Sequence, residues 1–227
     1  MTEWVVAALL LGRLFATDLQ QYLRLQGTQL DLRGSFVTDA DLAQLDNPVF
    51  PRVRIVLLSR TQIGDPGLVH LRSLPLEELD LQGTKISAAG LKVLRGLPLR
   101  RLTLTGTATG DSGLGALRSV PLEFLIASDV DITDAGLAYL DQMPLRRLDL
   151  SFTKIGDAGL SHLAKLADLE YLDLSFTRIS DRGLRDLDSL KKLSEIHLAG
   201  TDVTDSGSEH LQRSHPGIRV HRKTPSR

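Results

Sequence analysis

Six histidines and 28 carboxylates are the side chains through which this 227-residue chain could do chemistry, and it contains no cysteine. Hydrolysis would need a nucleophile beside an imidazole that an acid orients. His197 with Asp173 comes closest, but no serine stands in an elbow motif beside them. His70, His162 and His210 recur at one helical position in separate segments, while His215 and His221 fall in a C-terminal cap. The spacing of His210, His215 and His221 is not that of a zinc set, and no thiolate completes one. No phosphate-cradling G-x-x-x-x-G-K-[ST] loop is present either. The sequence therefore points to no enzyme, no metal and no cofactor.

Charge and composition narrow the partners. With 27 Lys and Arg against 28 Asp and Glu the chain has no global field to hold a polyanion, so nucleic acid is not an expected partner. The basic tail of Arg219, Arg222, Lys223 and Arg227 reads as a solvated end that guards the last strand's edge. Hydrophobic residues make up 42% and aromatics only 4%, so the 46 leucines must supply the core. The longest apolar run, Trp4–Leu11, is too short for a bilayer, which needs about 20 residues. As a signal peptide it has Glu3 and no Lys or Arg in its n-region, so a cytoplasmic protein without membrane attachment is expected, with export by an atypical signal or secretion as an effector the alternatives. Read as a helix over about 3–20, it would cap whatever follows, with Trp4, Leu11, Phe15 and Tyr22 on one face. Gly27-Thr28 then fits a two-residue hairpin turn, setting Leu25 against Leu30 and Leu23 against Leu32.

Those leucines recur in register. Segments beginning at Gly27, Val53, Leu76, Leu99, Leu122, Leu145, Leu169 and Leu193 align, with a partial ninth at Ile218. Their shared pattern is L-x-x-L-x-L-x-x-T-x-I-x-D-x-G-L-x-x-L. The L-x-L part has strand periodicity and G-L-x-x-L has helical spacing. One copy cannot bury its leucines, so neighbours must stack, with a parallel sheet on one side and helices on the other. The expected organisation is a capping helix and hairpin start over 1–26, eight repeats over 27–215, and a cap strand and tail over 216–227.

Position nine is Ser35 or Thr in seven copies and Val130 in one; hydroxyls there can satisfy backbone groups leaving the strand, so the Val130 coil should be looser or hydrated. Position thirteen is Asp in seven copies, suited to a helix first turn, and position fifteen is Gly in seven, with Asp41 the departure. The aspartates are read as structural.

The pattern resembles the leucine-rich repeat family, and its T-x-I-x-D-x-G-L form is similar to repeats of F-box-type, GALA-type and many bacterial leucine-rich proteins. That resemblance implies an α/β horseshoe solenoid with a parallel concave sheet and convex helices. In the F-box and GALA groups the repeats serve as the substrate arm of a ubiquitin ligase; here the implication stops at a binding arm, because 26 residues before the repeats carry no convincing F-box.

Positions three, five and eight leave the buried face. There, Phe124, Phe152, Tyr171 and Phe176 gather within three consecutive copies on an otherwise polar surface. With Ile126, and rimmed by Arg101, Arg147, Asp149 and Asp173, they form a candidate apolar patch for a protein or peptide ligand. Phe152 and Phe176 could instead tuck against each other and only stiffen the solenoid. Asp149 and Asp173 should be cross-strand neighbours, an arrangement that solvation, a cation or a basic partner must accommodate. A monomeric, non-catalytic interaction module is the expected function. A recognition arm for a ligase and a structural or assembly unit are the alternatives.

Overall fold

The computed structural model describes residues 18–24, 27–46, 50 and 52–222. Within each copy the alternating leucines make a three-residue strand, short because the chain must turn to bring the next leucines inward. The strands are β1 (Leu23–Arg24), β2 (Gln29–Asp31), β3 (Ile55–Leu57), β4 (Glu78–Asp80), β5 (Arg101–Thr103) and β6 (Phe124–Ile126). They continue as β7 (Arg147–Asp149), β8 (Tyr171–Asp173), β9 (Glu195–His197) and β10 (Arg219–His221). All ten lie in one sheet in sequence order; β1 pairs antiparallel with β2 and the rest are parallel.

The register is one-to-one, so equivalent residues form rows across the sheet. The middle residue of each strand points inward, and Leu30, Val56, Leu79, Leu148, Leu172 and Ile196 are fully buried. On the return path, short helices at Asp65–Leu68, Ala88–Leu91, Gly110–Leu117, Asp134–Leu137, Asp157–Leu163 and Asp181–Leu184 send Leu68, Leu91, Leu114, Leu137, Leu160 and Leu184 into the same core. Each coil is apolar on its flanks, so its neighbours, rather than its own length, keep it folded.

Two polar systems tie the coils. At position nine, Thr61, Thr84, Thr107, Thr153 and Thr201 each donate their hydroxyl to the position-six carbonyl of their own coil at 2.6–2.7 Å. Val130 is buried without a hydroxyl, and the carbonyl of its own residue accepts from Ile132 N–H at 2.7 Å. The position-thirteen aspartates act between coils as well as within them. Asp111 Oδ1 accepts from Thr133 N–H at 2.8 Å and Oδ2 from its hydroxyl at 2.6 Å; Asp181 holds Thr204 at the same distances. Asp39, Asp65, Asp134 and Asp157 likewise reach the next coil's helix start at Gly64, Ser87, Gly156 and Ser180.

That bridge explains the recurring glycine. A Cβ on Gly67, Gly90, Gly136, Gly159, Gly183 or Gly207 would overlap the carboxylate of the preceding coil's aspartate. In the first copy Asp41 occupies the position instead, accepting from Thr38 N–H at 2.8 Å to cap its own helix.

At the N-terminal side the hairpin forms, but Leu23 pairs with Leu30, not Leu32, and Arg24 pairs with Gln29. The register expected of a tight turn at Gly27-Thr28 is thus not the one found, and Gly27 has φ 84°. A slide of two residues keeps Leu23 on its original face, so the leucine pattern does not resist it. Of the expected capping helix, residues 3–17 lie outside the described residues; Leu19–Tyr22 forms a 3-10 turn whose Leu19 is fully buried.

At the other end, Arg219 pairs with Glu195, Val220 with Ile196 and His221 with His197. The ninth copy therefore starts one residue earlier than Ile218, at Gly217. Its strand has a single inward apolar residue, Val220, and no L-x-L to fix the frame. His215, buried, is held by Leu190 O and Ser214 Oγ, each at 3.0 Å, which makes it a structural closure of the last helix.

Candidate functional site

Along the position-three row, two guanidinium groups cover aromatic rings on the following strand. Arg101 lies 4.8 Å from the Phe124 ring centroid and Arg147 lies 4.4 Å from that of Tyr171. Each arginine uses the negative face of the ring and keeps its own charge in water. Arg101 also reaches Glu78 at 3.4 Å. Phe124 and Tyr171 are consequently half-buried beneath the cations.

Position eight lies where each strand turns out of the sheet, and the backbone there is left-handed. Gly34, Gly83, Gly106 and Gly200 meet that demand without a side chain, at φ 62–69°. Phe152 and Phe176 adopt it at φ 57° each, as do Arg60 at 58° and Asp129 at 53°. For a bulky residue this region is a true outlier, costing about 1–2 kcal/mol. The two phenylalanine rings stack with centroids 4.4 Å apart and 14° between planes, and Phe176 extends over Gly200, where a Cβ would collide with its ring. Even stacked, Phe152 is 55% exposed and Phe176 41%.

Between these rows runs position five. Ile126 is 42% exposed, followed by Asp149 and Asp173, which pair directly across β7 and β8. Asp149 accepts from Ser151 N–H at 2.9 Å and Ser151 Oγ at 2.7 Å; Asp173 accepts from Ser175 N–H at 2.8 Å. Burial raises the Asp149 carboxyl above the usual range, the Ser151 bonds oppose this, and the neighbouring Asp173 adds to it. Burial, then Asp173 and Asp149, push the Tyr171 phenol up to about 12.

The nine sequence-derived residues therefore occupy two flanking rows with a strip between them. Phe124, Tyr171, Arg101 and Arg147 form one side, Phe152 and Phe176 the other, and Ile126, Asp149 and Asp173 the strip. An open depression of about 410 Å³ joins Phe152, Phe176, Asp173 and Ser175 to His197 and His221.

Three features were not read from the sequence. His221 belongs to the position-five row beside His197, and the two rings stack 4.3 Å apart; starting the ninth copy at Gly217 would have revealed it. Phe36 is 94% exposed at position ten, where the other copies carry Gln, Lys, Ala, Asp or Arg. Position two alternates Arg54, Glu77, Arg100, Glu123, Arg146 and Glu170, and Arg54–Glu77, Arg100–Glu123 and Arg146–Glu170 form ion pairs between adjacent coils. Being exposed, they add little to stability. His197, considered with Asp173 as a dyad, engages Glu195 instead, with Nε2 2.9 Å from Oε1.

Residues 72–94, 142–164 and 165–187 match the Leucine Rich repeat family. The chain folds as a leucine-rich-repeat solenoid. Among solved structures this leucine-rich-repeat chain superposes on internalin C2 of Listeria monocytogenes with a TM-score of 0.63, covering 86% of this chain and 80% of that one. Identity between the two is 24%, so the likeness is one of fold. A comparison with curated protein sequences gives no match. No helix among the described residues of this leucine-rich-repeat protein is long and apolar enough to cross a membrane.

Proposed function

We propose that this leucine-rich-repeat protein is a non-catalytic interaction module that takes a protein or peptide on the concave face of its fifth to seventh coils. Phe152 and Phe176 carry the reading: both hold a left-handed backbone that glycine supplies in four other coils, and both remain exposed. Backbone strain kept together with exposed apolar surface is the pattern of a recognition site rather than of a core. Ile126 extends the apolar contact, Asp149 and Asp173 suit a basic group on the ligand, and Arg101 and Arg147 border the opposite side.

The test is selection of peptides from a random display library on the purified protein, followed by affinity measurement on an Ile126→Ser variant and a Phe152→Gly, Phe176→Gly variant. Selected peptides should bind each variant about tenfold or more weakly. Peptides that bind the variants as well as the native protein, with folding intact, remove this face from consideration.

A further inference from the structure

At the C-terminal end of the concave face three ligating atoms converge. Glu195 and His197 alternate on β9 and so share a face, and the register of β10 sets His221 beside His197. Glu195 Oε1 lies 2.9 Å from His197 Nε2 and 3.6 Å from His221 Nε2, and each of the three residues offers one ligating atom within 4.8 Å of those of the other two. A tetrahedral ion with ligands at about 2.0–2.1 Å needs ligand atoms about 3.3 Å apart, a value between the two contacts of the carboxylate. The other carboxylate oxygen is held by Arg219, which fixes Glu195 with Oε1 turned to the imidazoles.

We propose that Glu195, His197 and His221 bind a divalent transition-metal ion of the Zn²⁺ class. Two imidazoles and one carboxylate are an established donor set for that class and leave at least one coordination position open. Both imidazoles line the depression that Asp173, Phe152 and Phe176 also line, so a water molecule there can complete the shell. The proposal does not rest on peptide binding, since Glu195, His197 and His221 are none of the residues assigned to it.

Coordination requires each Nε2 to be unprotonated. Where the Nε2 that faces Glu195 Oε1 carries a proton, the ion displaces it to solvent. Besides Glu195, the groups facing His197 are Tyr171 and Asp173 from β8 and Arg219 and His221 from β10.

The experiment is equilibrium dialysis and calorimetry of the full chain with Zn²⁺ alone. One ion per chain is expected. His197→Ala and His221→Ala should each weaken binding about tenfold or more, and the double variant should lose it. A His70→Ala, His162→Ala, His210→Ala variant should bind as the native chain does. Co²⁺ should give a tetrahedral visible spectrum in the native chain and not in the double variant, whose folding is checked by circular dichroism. Absence of saturable binding, binding that survives the double substitution, or one ion per two chains with doubled mass would each overturn the proposal.

Discussion

The carboxylate of Asp65 occupies the volume that a β-carbon on Gly90 would fill, while its Oδ1 accepts from Ser87 N–H at 2.8 Å. One acid thus caps the next helix and dictates a glycine inside it. Ala in place of Gly90 should destabilise the protein by about 1–3 kcal/mol through overpacking. In an Asp65→Ala background the same change should be much less harmful, since Ala is favoured over Gly in a helix by about 1 kcal/mol. A double-mutant cycle by urea unfolding measures the coupling; additive effects would show that the acid and the glycine are independent.

Replacing Phe152 and Phe176 by Gly removes a stacked pair worth about 0.5–1.5 kcal/mol but releases two left-handed residues at about 1–2 kcal/mol each. Stability should therefore change little or rise, while peptide binding falls. A thermal melt showing a large loss of stability would instead assign the pair to stiffening the solenoid.

Val130 lacks the hydroxyl that Thr153 donates to Leu150 O at 2.6 Å in the next coil. Val130→Thr is nearly isosteric and offers the same bond to the Ala127 carbonyl, so a gain of about 0.5–1.5 kcal/mol is expected; Thr153→Val should lose a similar amount. Chemical denaturation of both variants checks the pair, and opposite signs are the expected result.

Asp149 and Asp181 should move stability with pH in opposite directions. Burial raises the Asp149 pKa in the folded state, so the folded chain holds more protons above the unfolded value of about 3.9 and loses stability as pH rises through that window. Asp149→Asn should therefore be stabilising at neutral pH, with the gain vanishing in acid. The Thr204 hydroxyl, then its N–H, hold Asp181 below the ordinary range, so its contribution is present at neutral pH and lost as pH falls through its folded pKa. Asp181→Asn should cost stability at neutral pH and converge with the native protein in acid. Melting temperatures across pH 3–8 for both variants distinguish the two signs.

The strands and helices were legible because eight copies repeat one pattern, and the inward leucines could be placed before any coordinate. The aspartate–glycine bridge was not, because Asp65 and Gly90 belong to different copies and each has a sufficient explanation within its own helix. Reading Phe152 and Phe176 from the sequence leaves packing and recognition as rivals; in the structure stacking and exposure coexist. His221 escaped because Ile218 looks like a first-position anchor. The true frame, set by Gly217 at φ 90° and by Val220 pointing inward, has too few apolar residues to declare itself.

The turn at position eight has a consequence for diversification. Its geometry is set by the backbone alone, so a coil can exchange bare glycine for Phe, Asp or Arg, as coils two, five, six and seven do, without disturbing a single leucine. Each coil is in effect a socket with a fixed admission cost, and new specificities can be written into the rim one residue at a time while the scaffold stays as it is.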